Sequence, residues 1–151
     1  MLNLFNNIAQ QLSKHFNQPV QPESYQQVFG GDINQTFRLQ TNIGYFFLKI
    51  NGGSLKDMFE KEFAGLQLLY QTKTIKIPQP ILHGSFSQPV IPAKAGISSN
   101  KDYIFLVTEF IQKGSPSKNF WQTFAQELAD LHKHSNEKLG LETGNYIGSL
   151  Y

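Results

Sequence analysis

The chain has 151 residues, 40% hydrophobic and 16% charged, which is enough for one domain with a core of its own. A net charge of +2 gives no electrostatic case for a nucleic acid or a membrane surface as partner. With no cysteine, disulfides, thiolate metal sites and cysteine nucleophiles are excluded, and a reducing cytoplasm is the expected location. Aromatics are plentiful, with 13 Phe, 6 Tyr and 1 Trp. No stretch approaches the roughly 18 apolar residues of a membrane span, and "MLNLFNNIAQQLSKHF" lacks the basic start and apolar centre of a signal peptide. The four histidines show no metal-ligand spacing; His132 and His134, two apart on a predicted helix, point to different sides. Met1 and Tyr151 look like the ends of a complete reading frame.

In chain order, Leu4, Phe5, Ile8, Leu12 and Phe16 recur at helical intervals, so residues 2–16 read as an amphipathic helix that Pro19 and Pro22 end. A short strand follows at 24–29. Gly30-Gly31-Asp32 is a turn, because two glycines permit positive φ. Residues 35–41 and 44–50 form a hairpin around Thr41-Asn42-Ile43-Gly44. After the loop Gly52-Gly53-Ser54, "LKDMFEKEFAGLQLLYQT" puts Leu55, Met58, Phe59, Phe63, Leu66 and Leu69 on one broad face of a helix. "IPQP" breaks that pattern and "ILHGSF" is a strand. "YIFLVTEFI", residues 103–111, is an apolar run suited to a central strand covered on both faces. Residues 112–118 are a polar connector. "NFWQTFAQELADLHKHS" is a further helix with Phe120, Phe124, Leu128 and Leu131 stacked, and the tail from 136 has no period.

Short sequential strands joined by tight turns favour an antiparallel sheet in an α+β fold. One segment interrupts it. "SQPVIPAKAGISSNK", residues 87–101, has the composition of a mobile loop between the fourth and fifth strands. Its "PVIPAKAGIS" resembles the peptide encoded by short repetitive DNA elements that land inside bacterial reading frames, an insertion a surface loop tolerates because lengthening it costs little.

The chemistry centres on Lys49, which ends an apolar run just downstream of the two-glycine turn. Phe47 and Lys49 share a strand face, and a covered ammonium needs a partner. Glu60 and Glu62 on the next helix are the nearest candidates. They lie about 200° apart around the helix, so only one can face the sheet. Glu62 lies close to the apolar stripe, one turn before Leu66; Glu60 flanks the stripe beside Phe59. A glycine turn between antiparallel strands can lie over a phosphate and donate backbone N–H groups to it. Taken singly, a Gly-Gly pair is usually a hairpin turn, a strand lysine a solvated edge residue and a helix glutamate surface. Their order is what points elsewhere: glycine turn, strand lysine, helix glutamate, then a central strand running into a linker, as in the small lobe of a kinase.

The set "GGDINQTFRL", "FFLKIN", "MFEKEFAGLQLL", "IPQPI", "FLVTEFI", "LADLHKHS" and "GNYIGSL" resembles the fructosamine kinase (ketosamine or ribulosamine 3-kinase) family, of aminoglycoside-phosphotransferase-like fold, over nearly the whole chain apart from 87–101. The resemblance implies an α+β small lobe of a five-stranded antiparallel sheet with a helix over residues 1–111, a hinge linker at 112–118, and the start of a large lobe at 119–151. It implies ATP as cofactor and a glycated amine (ketosamine) as substrate, phosphorylated on the sugar 3-hydroxyl. Gly30, Gly31, Asp32, Ile33 and Asn34 would then be the phosphate-covering turn, with Lys49 on phosphate and Glu62 anchoring it. Thr108 would stand at the rear of the adenine pocket. The Glu109 carbonyl and the Ile111 N–H would bond the adenine edge, and Phe47 and Val28 would pack above the ring. Some family members carry a cysteine where Asp32 stands, which allows redox-linked dimers; that control is absent here.

The family's catalytic loop, H-G-D-L-x-x-x-N, and its later metal-binding aspartate have no match in the 151 residues. The expectation is therefore a shortened chain that is catalytically incompetent alone, without Mg²⁺ ligands and at best a weak nucleotide binder. The apolar residues around 119–134 are then expected to be exposed and to favour self-association.

Overall fold

The computed structural model describes residues 2–28, 33–53, 55–90, 99–138, 140–141 and 143–146. Chain order is α1 (Leu2–Phe16), β1 (Pro22–Gln27), β2 (Gln35–Thr41), β3 (Gly44–Gly52), α2 (Met58–Thr72), β4 (Pro80–Val90), β5 (Ser99–Glu109) and α3 (Phe120–His132). The strands form one antiparallel sheet in the order β1-β2-β3-β5-β4. This is the α+β architecture expected, with β5 central between β3 and β4.

Strand alternation divides the core in two. On one face, Phe37, Leu39, Phe46, Leu48, Ile50, Phe105 and Val107 pack against Leu4, Phe5, Ile8, Ala9 and Leu12 of α1. On the other, Ile104 and Leu106 pack against Met58 and Phe59 of α2, with Leu55, Phe63, Leu66 and Tyr146 at its edge. Strand β5 is thus buried from both sides, which is why its sequence runs apolar without alternation.

Several boundaries and faces differ from expectation. Helix α2 begins at Met58, with Leu55 to Asp57 in the preceding turn. Phe16 and Leu69 extend their apolar stripes but are exposed near their helix ends, Phe16 keeping a ring contact with Phe46 of β3 at 5.9 Å. Strand β5 ends at Glu109, leaving Phe110 and Ile111 in the connector. The segment 87–101 is not loop throughout. The β4–β5 ladder continues from Ser87↔Asp102 to Val90↔Ser99, because backbone pairing across a hairpin does not require apolar side chains. Residues 91–98, the middle of the proposed insertion, lie outside the described residues.

Helix α3 forms but buries none of its residues. Phe120, Trp121 and Phe124 pack on one another, with ring centroids 5.0–6.4 Å apart, and remain exposed, Trp121 at 77%. This apolar stripe, not buried by any described residue, is the exposed patch expected from the sequence.

Leu48 is fully buried between α1 and the sheet. Leu48→Ala should cost about 2–5 kcal/mol, whereas Trp121→Ala should change stability by no more than roughly 0.5 kcal/mol. Urea unfolding of the two variants checks the contrast; equal losses would contradict the burial assignment of α3.

Candidate functional site

The site lies on the sheet face that α2 crosses. In register, Thr36 pairs with Lys49 and Arg38 with Phe47 across β2–β3, while Lys49 pairs with Leu106 and Phe47 with Thr108 across β3–β5. Directly paired residues point to the same side, so Thr36, Arg38, Phe47, Lys49, Leu106 and Thr108 share this face. The ammonium of Lys49 donates to Glu62 Oε1 at 2.5 Å. Glu60 is exposed, so Glu62 is the helical carboxylate that turns inward. Each side chain of the pair keeps 30% of its surface accessible, so the cation is half-covered rather than sealed. An ion pair with this much water is worth roughly 0.2–1 kcal/mol of stability, too little to explain the fold. Its effect is to fix one ammonium at one place on an open face.

The glycine turn is held by its two legs. Val28 N–H donates to the Thr36 carbonyl at 2.9 Å, and the Thr36 hydroxyl donates back to the Val28 carbonyl. Asn51, two residues beyond Lys49, donates to the Ile33 carbonyl at 3.1 Å and to Asn34 Oδ1 at 2.6 Å. The Ile33–Asn34 leg is therefore tied to the strand that carries the lysine. Gly30, Gly31 and Asp32 lie outside the described residues. The role of Asn51 was missed from sequence. Strand alternation from Lys49 was the available signal, but it does not reveal which loop lies opposite.

At the other end of the face, Thr108 is buried and its hydroxyl donates to the Glu109 carbonyl at 3.2 Å. Glu109 N–H donates to the Gln79 carbonyl at 2.8 Å. The Glu109 carboxylate accepts from Lys76 at 2.7 and 3.0 Å and from Gln79 N–H at 3.3 Å. The side chain of Glu109, which the sequence offered only for its backbone, thus fastens the end of β5 to the entry of β4. Ile111 is exposed in the connector. Arg38 lies over the rings of Tyr45 and Phe110, 5.2 and 5.8 Å from their centroids. This cluster joins β2, β3 and the connector, and sequence reasoning did not find it.

Other carboxylates have partners elsewhere: Glu23 with Gln40, Asp57 with Lys61 and Tyr146, Asp102 with Ser87, Asp130 with Lys133. Among the described residues no three His, Cys, Asp or Glu side chains gather as a metal site. Two cavities lie away from Lys49: one of about 220 Å³ where Gly53 and Lys56 meet Asp102 and Tyr103, and an open one along α3. Among the described residues, Lys49 and Glu62 leave this face partly open to solvent, a half-cleft.

Comparison with known proteins gives the family. The family model for fructosamine kinase matches residues 4–151. The chain belongs to the fructosamine kinase family. A protein named "Probable ketoamine kinase" from Synechocystis is 34% identical over 143 residues, covering 94% of this chain and 44% of that protein. The chloroplastic protein-ribulosamine 3-kinase of Arabidopsis thaliana is 35% identical over 125 residues, 81% of this chain and 34% of its own length. The crystal structure "Putative fructosamine-3-kinase" from Haemophilus somnus superposes with a TM-score of 0.76 at 25% identity, over 95% of this chain and 44% of that one. The chain thus spans less than half the length of the relatives it matches, and the match carries the α+β fold of their N-terminal portion. No helix of the described residues is long and apolar enough to cross a membrane.

The Lys76 ammonium, partly opposed by burial and helped by the Gln79 N–H, holds the Glu109 carboxyl below its ordinary value of 4.5. A lowered folded pKa means that the contact stabilises fully above about pH 4.5 and is lost as pH falls through the folded value. In a carboxyl-carbon NMR titration, Glu109 should titrate below 4.5 and return toward it in Lys76→Met; an unchanged midpoint in that variant would contradict the assigned cause.

Proposed function

We propose that these 151 residues form the nucleotide-holding half of an ATP-dependent ketosamine 3-kinase. In this reading residues 1–111 are the small lobe, 112–118 the hinge linker and 119–151 the start of the second lobe. The observation that carries it is the Lys49–Glu62 pair on an open sheet face, with the legs of the glycine turn tied down by Thr36 and Asn51.

ATP would supply the phosphoryl group. Lys49, oriented by Glu62, would neutralise phosphate charge, and the turn 30–34 would cover the phosphates with backbone N–H groups. Phe47 and Val28 would cover the adenine, with Thr108 behind it. The second lone pair of the Glu109 carbonyl and the Ile111 N–H would meet its edge. The acceptor in this reading is the 3-hydroxyl of a fructosamine or ribulosamine.

Transfer to that hydroxyl needs a carboxylate to orient and deprotonate it and others to hold Mg²⁺. The described residues do not provide them. The half-cleft alone is therefore read as a weak nucleotide binder without turnover. A binding role without catalysis is the second reading, favoured by the engagement of Asp57, Asp102 and Asp130 away from Lys49. The exposed Phe120, Trp121 and Phe124 are the surface we assign to self-association, which sedimentation at rising concentration reads out. A net charge of +2 and the lack of cysteine support a cytoplasmic site of action without nucleic acid or membrane.

Isothermal titration with ATP should show weak binding that Lys49→Ala reduces about tenfold or more, the scale of one charge-assisted hydrogen bond. Incubation of the 151-residue chain with ATP, Mg²⁺ and a fructosamine should yield no phosphorylated sugar. Tight binding unaffected by Lys49→Ala would overturn the nucleotide reading, and turnover would overturn the account of the missing carboxylates.

A further inference from the structure

The segment "GNYIGSL" took no part in the site, yet Tyr146 within it returns from α3 to the start of α2. Its hydroxyl donates to Asp57 Oδ1 at 2.5 Å. Lys61 donates to Asp57 Oδ2 at 2.9 Å, and its ammonium lies 5.0 Å from the centre of the Tyr146 ring. The ring also packs at the edge of the cluster formed by Met58, Phe59, Ile104 and Leu106. Three chemically different contacts thus converge on one residue, from a part of the chain 89 positions away.

Asp57 is the N-cap of α2, and an aspartate there ordinarily accepts a hydrogen bond from an N–H of its own first turn. Here it makes no such side-chain bond. Its two oxygens instead serve Tyr146 and Lys61. The Asp57 carboxylate thus joins the first turn of α2, through Lys61, to Tyr146 outside the helix. Lys61, which completes the arrangement, immediately precedes Glu62, and Leu106 in the cluster under Tyr146 is the register partner of Lys49.

We propose that Tyr146 is a positioning residue that latches the first turn of α2 through Asp57 and Lys61 and so sets the reach of Glu62 to Lys49. The consequence at Lys49 rests on the nucleotide reading; the latch on α2 does not. Because the contact joins the segment beyond α3 to the helix that carries Glu62, it makes the ion pair depend on how that segment sits.

The test uses the full 151-residue chain and Tyr146→Phe, which removes one hydroxyl and keeps the ring, with Asp57→Asn as a second variant. Amide hydrogen exchange should speed up about tenfold in the first two turns of α2, the scale of one hydrogen bond to a charged group, while β2, β3 and β5 keep their protection. ATP affinity should weaken severalfold in Tyr146→Phe, with no further loss when Tyr146→Phe is added to Glu62→Gln. Unchanged exchange in α2, faster exchange across the whole sheet, or losses that add independently of Glu62→Gln would each overturn the latch. If the unaltered chain shows no ATP binding, the nucleotide reading falls, and local exchange in α2 still decides the latch for or against.

Discussion

A lysine on a sheet face can be held in one place only if something on the neighbouring layer answers its charge. Lys49 is answered by Glu62, and much of the molecule's geometry serves that meeting. The hairpin β2–β3 brings Lys49 to the middle of the sheet. Helix α2 must cross that same face for a carboxylate to reach it. Helix α1 takes the opposite face, so the two helices do not compete for one surface. The pair contributes little to stability, yet it fixes one ammonium on the face that α2 crosses.

The main elements were legible because each carried a strong local signal. The helical spacing of Leu4, Phe5, Ile8 and Leu12 matched a buried stripe, the turn at Asn42-Ile43 matched a hairpin, and the unbroken run in β5 matched a strand covered on both sides. Glu62 over Glu60 was open on periodicity alone. Their separation around the helix showed that one must face outward, but the choice depended on how α2 rotates against the sheet, which only packing decides. Boundaries slipped where local pattern and tertiary cover part company. Phe16 and Leu69 continue their stripes into helix ends that stay exposed, and the β4–β5 ladder continues past the apolar residues.

The unread parts of the site are contacts between segments far apart in sequence. Asn51 reaches the glycine turn from β3, Arg38 spans Tyr45 and Phe110, and Tyr146 closes on Asp57. None has a periodicity to betray it, since each partner is set by three-dimensional proximity. Asp57 illustrates the limit well. Its place inside the run read as helical gives no hint of an N-cap, and only the fold reveals that its carboxylate is committed to Tyr146 and Lys61. By contrast, the exposure of Phe120, Trp121 and Phe124 on α3 was legible in advance, from the apolar spacing of the helix together with the family resemblance.

The claim on which the account turns is that Glu62 holds the Lys49 ammonium where phosphate would meet it. Nitrogen-detected NMR of the lysine side chains, with Lys49 assigned by substitution, tests this directly. The account predicts that Glu62→Gln shifts the Lys49 ammonium signal, and that in the unaltered chain ATP shifts it while adenosine leaves it in place. A Lys49 signal indifferent to both Glu62→Gln and ATP would contradict the claim.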